Sequence, residues 1–345
     1  MTPDRAQELL RQSTGCRVLL VGDLMMDEWV FGSVGRISPE APIPVVAMPL
    51  TSDARAEKPG GAGNVAAILL ALGADVRVVG VVGDDDCGRR LRDDLATRGA
   101  DVSRVLEDSV RPTTHKQRIL AGRQQLLRID TESSTPLSSG LCAQLRDAIS
   151  EDLQDADVML VSDYAKGVLT SESLPFDIIA ASRAQGVPVC VDPKPANIDL
   201  FRGASVISPN EAETLQAASV AVNAGHPPSD EQDAIPPHIR DAGRALRARL
   251  EADAVFITRG DKGIVVVGPG EAEVQVRALT GSGDVGDATG CGDAVSAASA
   301  LVLAAGASYL EAAEIGNAAG GVVSQFVGVH NPTAEEIVAR LRSSS

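Results

Sequence analysis

The segment that most constrains the fold is a glycine-rich stretch followed by a run of small apolar residues. Residues 286–293 read Gly-Asp-Ala-Thr-Gly-Cys-Gly-Asp, and the run that follows covers 294–305 and ends before Gly306. Such a run is typical of a buried helix, with the glycine as its C-terminal stop. The first turn of this helix would contain N–H groups without helical partners, at the positive end of the helix dipole. The sequence therefore predicts a buried helix whose start binds an anion.

Asp293 does not fit a simple anion site, because a carboxylate repels the anion. One hypothesis makes it the proton acceptor for a hydroxyl group that attacks a phosphorus atom. The other hypothesis is that Asp293 only complements the helix dipole. The surrounding glycines and a second glycine-rich site upstream favour the catalytic hypothesis.

The second glycine-rich site reads Lys-Pro-Gly-Gly-Ala-Gly-Asn over residues 58–64, and an apolar helix is predicted over 65–72. Asn64 falls in the first turns, where its amide could reach a polyhydroxyl ligand lying against the backbone of Gly60 and Gly61. The alternative is a flexible loop that leads into a helix. We interpret the segment as the floor of a substrate site.

Composition limits the kinds of partner. The 345 residues include 47 acidic against 31 basic ones, for a net charge of -16, which argues against nucleic-acid and anionic-membrane partners. The five cysteines form no CxxC pair, so reduced thiols are expected. The N-terminus does not resemble a signal peptide, and no apolar run is long enough to span a membrane. We therefore expect a cytoplasmic globular protein.

The second half of the chain alternates between helices and strands. Helices are predicted at 138–154 and 170–184, and strands at 157–161, 187–191 and 204–207. This alternation favours parallel strands with helices on both faces of the sheet. Further strands are predicted at 17–23, 76–83, 254–258, 264–267 and 273–278, and further helices at 1–14, 87–98, 309–326 and 333–342.

Two segments interrupt this pattern, at about 29–50 and 111–130. The first contains short β-like pieces around a proline-rich stretch, and the second predicts a hairpin of strands 113–120 and 124–130. Together they predict a small β lid over the glycine sites, within one domain spanning residues 1–345. The hairpin carries four basic residues that either contact phosphate or form a solvated face. They are Lys116, Arg118, Arg123 and Arg128.

Polar residues also follow several predicted strands, where ligands of open α/β sheets collect. They are Asp23, Asp27, Lys166, Lys194, Asn210 and Glu213. The two aspartates either bind a ligand or cap a turn. The lysines either meet a phosphate or pair with an acid, and the last two residues are also what any helix start favours.

Two other phosphate-binding motifs are excluded. The chain has no GxxxxGK[ST], so it is not a P-loop NTPase. Gly281, Gly283 and Gly286 do form a GxGxxG, but the following residues predict helices and no second strand. A dinucleotide-binding dehydrogenase is therefore rejected.

Taken together, the two glycine-rich sites resemble the signatures of the ribokinase-like (PfkB) carbohydrate kinases. Residues 59–64 look like the family's N-terminal glycine element, and 287–293 look like its D-T-T-G-A-G-D, with Ala288 and Cys291 in place of threonine and alanine. The resemblance covers nearly the whole chain. It implies a three-layer α/β/α domain with a mostly parallel central sheet and a small β lid.

The resemblance also implies roles for individual residues. Asp293 would be the general base, and Gly290, Cys291 and Gly292 the anion hole. ATP and Mg²⁺ would be the cofactors, with Glu213 at the metal, while the need for a monovalent cation near 287–293 stays open. The expected nucleotide-side residues are Asn210, Glu211, Ala212, Glu213, Thr258, Gly260 and Asp287. The expected sugar-side residues are Asp23, Asp27, Gly60, Gly61 and Asn64, with Arg118, Arg128 and Lys194 as candidates for its phosphate.

Within the family, six segments resemble the D-glycero-D-manno-heptose 7-phosphate kinases of lipopolysaccharide precursor synthesis. They are residues 22–27, 36–46, 58–66, 124–130, 162–169 and 192–194. The resemblance implies phosphorylation at C1 and a homodimer formed through the lid. Many such kinases carry a fused nucleotidyltransferase, and this sequence looks like the stand-alone form, so we expect a separate one. A kinase of another sugar and a non-catalytic relative remain alternatives.

Overall fold

The structure is a computed structural model that describes residues 1–49, 51, 54–122, 124–170, 173–218, 235–270, 273–279, 289–326 and 328–343. It contains a large sheet between two helical layers, and a smaller separate sheet. The described helices are α1 (Pro3–Gln12), α2 (Ala62–Ala71), α3 (Asp86–Thr97), α4 (Ser139–Asp152), α5 (Ser173–Gln185), α6 (Glu211–Ala217), α7 (Pro237–Leu250), α8 (Cys291–Ala304), α9 (Tyr309–Val323) and α10 (Ala334–Arg342). The described strands are β1 (Arg17–Gly22), β2 (Leu24–Ile37), β3 (Pro44–Ala47), β4 (Arg55–Gly61), β5 (Asp75–Gly83), β6 (Asp101–Asp108), β7 (Thr114–Ala121), β8 (Gln124–Thr131), β9 (Val158–Ser162), β10 (Val189–Asp192), β11 (Val206–Ile207), β12 (Ala254–Thr258), β13 (Ile264–Val267) and β14 (Val274–Val276).

The nine strands of the large sheet follow the order β14-β13-β12-β11-β10-β9-β1-β5-β6. Strands β12 through β6 in this order pair in parallel, and β13 and β14 add antiparallel strands at one edge. The parallel strands read as continuous apolar runs because both of their faces are buried.

Alternate residues of each central strand point to different cores. In β1, Val18 and Leu20 pack with the layer formed by α1, α2, α3, α8, α9 and α10. Leu19 and Val21 pack with the opposite layer of α4, α5 and α7. The predicted three-layer α/β/α architecture with a mostly parallel sheet is confirmed.

The buried helix predicted after residue 290 is α8, which begins beyond Gly290 and ends before Gly306. Its small side chains allow close packing against α9. A Cβ atom on Gly316 of α9 would lie 2.2 Å from the Ser299 hydroxyl oxygen, which in turn donates to the carbonyl of Ala312 at 2.9 Å. The second half of α8 is therefore packed closely against α9.

The smaller sheet, which we call the lid, has the order β3-β2-β7-β8, with β4 also paired to β2. Strands β7 and β8 form the predicted antiparallel hairpin. Residues 58–61 are not a loop leading into α2, because they belong to β4, where Lys58 pairs with Asp27 and Gly60 with Met25. Asp27 likewise lies inside β2 and not at the end of a core strand. Neither pairing is local in sequence, so periodicity could not reveal it.

Some elements had no counterpart in the sequence reasoning. Strand β6 and helix α7 were not predicted, and α7 follows a proline-rich start that looked like a continuing loop. Most of the loop expected at 219–237 lies outside the described residues. In the part of the chain that the structure describes, no helix is long and apolar enough to cross a membrane.

Candidate active site

Asp293 stands at the start of α8 with 7% of its surface exposed. Its Oδ2 accepts a hydrogen bond from Nδ2 of Asn64 at 2.6 Å, and its Oδ1 accepts one from the Tyr164 hydroxyl. A Cβ atom on Gly290 would lie 3.1 Å from the Asn64 nitrogen, so the glycine leaves room for this contact. The two glycine-rich sites predicted from the sequence therefore meet at one carboxylate.

A polar cavity of about 160 Å³, which we call the chamber, opens beside Asp293. Gly290 and Gly292 bring the start of α8 to its wall, where the first backbone N–H groups of a helix have no helical partner. The other lining residues are Tyr164, Asp192, Lys194, Ser208, Asn210, Glu213, Thr258 and Ser296. The chamber thus joins a helix start to several acidic side chains.

Burial and charge shift the ionisation of the groups around the chamber. Burial raises the pKa of Asp293, while the hydrogen bonds from Tyr164 and Asn64 oppose this rise. Burial also raises the pKa of Asp192 to about 7. Burial tends to lower the pKa of Lys194, but the neighbouring carboxylates outweigh it and the net shift is upward. Carboxylates outnumber the ammonium group here, so a bound phosphate would require an added cation.

A second cavity, of about 290 Å³ and largely apolar, adjoins the chamber. Thr258 and Gly292 line both cavities. The remaining lining residues are Gly260, Asp261, Gly263, Ile264, Ala278, Leu279, Cys291, Val295, Asn317, Gly320, Gly321 and Ser324. An apolar slot that opens into a polar chamber suits a flat aromatic group that carries phosphates.

The four residues predicted on the nucleotide side at 210–213 divide into two groups. Asn210 and Glu213 form a capping box at the start of α6, and both line the chamber. Glu213 also accepts a hydrogen bond from Nζ of Lys194 at 3.0 Å. Glu211 instead pairs with Arg259 at 2.8 Å, and Ala212 is exposed. We therefore omit Glu211 and Ala212 from the candidate site.

Asp287, also predicted on the nucleotide side, lies outside the described residues.

Asp23 has a different position from the one expected of a sugar ligand. It is 1% exposed, and its carboxylate accepts hydrogen bonds from the backbone N–H groups of Tyr164, Lys166 and Val168 at 2.8, 3.1 and 3.3 Å. Burial raises its pKa to about 6, although these three donors act in the opposite direction. Because both oxygens are engaged, we assign Asp23 to holding the loop at 163–168.

Asp27, Gly60 and Arg118 lie together where the lid meets the core. The Arg118 guanidinium donates to Asp27 at 2.5 Å and stands over the Trp29 ring, 5.1 Å from its centroid. A Cβ atom on Gly60 would lie 2.2 Å from Oδ2 of Asp27, so only glycine lets the carboxylate rest against this backbone. Gly61 has φ +54° and precedes α2, the helix that carries Asn64. These residues form a polar floor on the sugar side.

Two further basic residues of the β7–β8 hairpin pair with acids. Arg128 binds Asp130 at 2.8 Å, and Lys116 lies 3.5 Å from the same residue. Glu132 pairs with Lys166 at 2.8 Å. For Lys166 and Lys194, the structure contains the acid pairing that was one of their two predicted roles. Arg123 lies outside the described residues.

Sequence reasoning did not single out Tyr164 and Asp192 as functional residues. Tyr164 follows strand β9 and Asp192 ends strand β10, at the sheet edge where ligands collect. Their position at the end of a strand could have identified both residues from the sequence. At the same strand ends, the sequence predicted ligand contacts for Lys166 and Lys194 instead.

One group of side chains in the lid has the spacing of a metal site. Atoms of Glu28, Glu57 and His115 that could bind an ion all lie within 4.8 Å of one another. Each carboxylate already has a cationic partner, Arg55 at 2.8 Å and Arg90 at 2.9 Å respectively. We assign no ion to this group, because the two guanidinium groups already offset its charge.

Comparisons with known proteins agree on one family. The model of the pfkB family of carbohydrate kinases matches residues 41–336. The bifunctional protein HldE of Caulobacter sp. (strain K31) is 39% identical over 335 residues, which cover 97% of this chain and 64% of that protein. The HldE of Geotalea uraniireducens (strain Rf4) is 37% identical over 337 residues, with 97% and 65% covered. This chain thus spans less than two thirds of the length of these relatives.

Solved structures show the same fold at lower identity. Phosphofructokinase-2 from Escherichia coli in complex with substrates and products has a TM-score of 0.75 and 20% identity, with 95% of this chain and 99% of that chain covered. Ribokinase from Arabidopsis thaliana, complexed with ribose and ATP, has a TM-score of 0.72, 20% identity and the same coverage.

Proposed function

Because this chain belongs to the pfkB family of carbohydrate kinases, we propose that it transfers a phosphoryl group from ATP to the C1 hydroxyl of D-glycero-D-manno-heptose 7-phosphate. The product would be the 1,7-bisphosphate, a precursor of the lipopolysaccharide inner core. Phosphoryl transfer to a sugar hydroxyl follows from the family. The choice of sugar is supported by the six segments that resemble the heptose kinases.

The observation that carries the proposal is the position of Asp293. Its carboxylate lies between Asn64 on the sugar side and the helix start that lines the chamber. In this position Asp293 accepts the proton of the sugar hydroxyl while the oxygen attacks the γ-phosphorus. The N–H groups at Gly290, Cys291 and Gly292 stabilise the negative charge on the transferred group.

The two adjoining cavities would hold the nucleotide. The apolar slot beside Gly260 and α9 would take its base, and Thr258 and Gly292, which line both cavities, would adjoin its phosphates. The start of α8 would then donate N–H groups to the phosphates, in the chamber that Asp293 also lines.

The chamber also fits Mg²⁺, because it is lined by several carboxylates and Mg²⁺ prefers oxygen ligands. Glu213 would hold the ion together with the nucleotide phosphates. When bound, the ion offsets the charge of those phosphates. Lys194, hydrogen-bonded to Glu213, keeps this carboxylate in place.

The sugar phosphate lies on the opposite side of Asp293, over the floor made by Asp27, Gly60, Gly61 and Asn64. Its 7-phosphate would bind the lid or the adjacent loop. The candidates are Arg118, Arg128 and Lys194, each of which pairs with an acid in the structure. A phosphate that binds one of them competes with that acid.

A homodimer through the lid belongs to the same proposal. Several large apolar side chains of the lid are exposed, among them Ile37 at 61% and Ile43 at 56%. Exposed apolar surface of this kind is characteristic of protein interfaces. Ile37→Asp should convert a dimer into a monomer in sedimentation velocity, and an unchanged sedimentation coefficient would contradict dimerisation through the lid.

The remaining expectations also stay proposals. We propose that the protein acts in the cytoplasm, and that a nucleotidyltransferase acts on its product downstream. A monovalent cation near 287–293 stays a prediction, because residues 280–288 lie outside the described part of the chain.

Product analysis tests the function directly. Incubation with ATP and heptose 7-phosphate, followed by ³¹P NMR, should show a new anomeric phosphate at C1 together with ADP. Fructose 6-phosphate, ribose and 2-keto-3-deoxygluconate serve as comparison substrates. Faster ADP release with one of these would make the protein a kinase of that sugar. Absence of sugar-dependent ADP release with all of them would contradict catalysis.

A further inference from the structure

We propose that Tyr164 is a positioning residue that holds the Asp293 carboxylate in its reactive orientation by donating a hydrogen bond to Oδ1. The proposal rests on the proposed function, in which Asp293 is the base.

The Asp293 carboxylate is held at both ends, by Tyr164 at Oδ1 and by Asn64 at Oδ2. Two donors on different elements, the loop after β9 and helix α2, remove the freedom of the carboxylate to rotate. An ionised carboxylate has about four acceptor positions, so two of them remain for a substrate hydroxyl. The arrangement fixes the base without blocking it.

Tyr164 is itself held firmly. Its backbone N–H donates to the buried carboxylate of Asp23 at 2.8 Å. The next residue, Ala165, has φ +53°, a conformation that is uncommon for residues other than glycine. Its N–H donates to Asp163 at 2.8 Å, which stabilises the turn. The loop is therefore arranged to point one particular side chain into the chamber, and that side chain is the phenol.

Burial and the carboxylates around this contact also favour a neutral phenol, which can donate a hydrogen bond. Burial and the carboxylates of Asp293, Asp192 and Asp27 raise the pKa of Tyr164 well above its usual value. The ammonium of Lys194 lies 5.3 Å from the centroid of the Tyr164 ring and faces the same chamber. The hydroxyl therefore keeps its proton over the working range of pH and acts as a donor.

Removal of this donor has a consequence that can be measured. Burial raises the pKa of Asp293, and the hydrogen bond from Tyr164 lowers it. In Tyr164→Phe the opposing contribution is lost, so the pKa of Asp293 rises. The acid limb of the pH dependence of kcat should then move to higher pH by about one unit. Loss of a hydrogen bond to a charged group changes a pKa by about this amount.

The experiment compares Tyr164→Phe with Tyr309→Phe. Tyr309 is the other tyrosine of the chain and is also partly exposed. It is the first residue of α9 and does not line the chamber. Sugar-dependent ADP release is measured from acid to neutral pH. We expect a fall in kcat of about 10- to 100-fold at pH 7 together with the shifted limb for Tyr164→Phe. Tyr309→Phe should match the wild type. An unshifted limb with wild-type kcat in Tyr164→Phe would overturn the proposal.

A second measurement does not depend on turnover. In protein labelled with ¹³C at the aspartate carboxyls, the resonance that is absent from Asp293→Asn identifies Asp293. Its titration midpoint should be higher in Tyr164→Phe than in the wild type, and an equal midpoint counts against the proposal. Loss of turnover in Asp293→Asn without an effect of Tyr164→Phe would reject only the positioning role. Normal turnover in Asp293→Asn would reject the proposed base as well.

Discussion

Asn64 on α2 donates a hydrogen bond to Asp293 on α8 across 229 residues of sequence, with 2.6 Å between Nδ2 and Oδ2. Each residue belongs to one of the two glycine-rich segments. This contact brings the two segments together in one site. The backbone of Gly60 and Gly61 lies on the proposed sugar side of the site, and the start of α8 lies on the other side. The catalytic hypothesis for Asp293 gains its main support from this contact.

We expect Asp293→Asn to lower kcat by about 10²–10⁴, the usual range for a general base, with little change in the melting temperature. Asp86→Asn provides a matched control, because Asp86 also lies in the first turn of a helix, α3, and is exposed. If Asp293 served only the helix dipole, both variants would lose a similar small amount of stability and neither would lose activity. Steady-state kinetics and thermal unfolding decide between these outcomes.

Gly292→Val should lower kcat/KM for ATP by about 10², because the side chain would fill the space over the helix start that donates to the phosphates. A Cβ atom at this position meets no other atom within 4 Å, so the fold should survive. Gly140→Val is the control, since Gly140 is likewise the second residue of a helix, α4. Equal effects of the two variants would show that the loss comes from the helix and not from the chamber.

Arg118→Met should raise the KM for the phosphorylated sugar by about tenfold, because it removes a charged donor from the lid while keeping an apolar stem. The KM for the same sugar without its phosphate should change much less. Arg55→Met is the matched control, because Arg55 pairs with Glu28 in the same sheet. A similar rise for both forms of the sugar in Arg118→Met would exclude Arg118 from the 7-phosphate site and direct attention to Arg128 and Lys194.

Asp23 gives a prediction about stability and pH. Its pKa is about 6 in the folded protein against an ordinary value of 3.8, so the folded state binds the proton more tightly. The stability that this provides is complete below pH 3.8 and is lost as the pH rises through about 6. Relative to Asp23→Asn, the wild type should therefore lose about 3 kcal/mol of unfolding free energy over that range.

Urea unfolding at several pH values measures this difference. Asp157→Asn is the control with the opposite sign, since the hydrogen bond from Arg17 lowers the pKa of Asp157 and its contribution disappears as the pH falls. If the Asp23 difference instead grew in favour of the wild type as the pH rises, the three backbone donors would outweigh burial.

The sequence predicted those features that depend on local pattern. The small apolar residues after Gly290 predicted the bounds of α8 to within a few residues, and the β-like segments 113–120 and 124–130 predicted the hairpin of β7 and β8. The apolar runs and their alternation with helices predicted the three layers. These signals are read within a window of a few residues, so one chain is enough to detect them.

The features that the sequence missed depend on contacts between distant segments. Gly60 looked like part of a loop because its strand partner, Met25, lies in a different segment. Tyr164 acquires a role only when its hydroxyl meets a carboxylate 129 residues away. Asp23 was expected to bind sugar, since no local pattern shows that three backbone N–H groups occupy it.

The junction between the two sheets has a mechanical consequence. A single residue, Asp23, joins β1 to β2, and β4 passes into α2 with no residue between Gly61 and Ala62. The N–H of Ala62 donates to the Asp23 carbonyl at 3.1 Å, so a hydrogen bond joins the two junctions. Asp23 holds the loop of Tyr164, and Gly61 adjoins the helix of Asn64. A displacement of the smaller sheet would therefore act on Tyr164 and Asn64 together, and through them on the orientation of the Asp293 carboxylate.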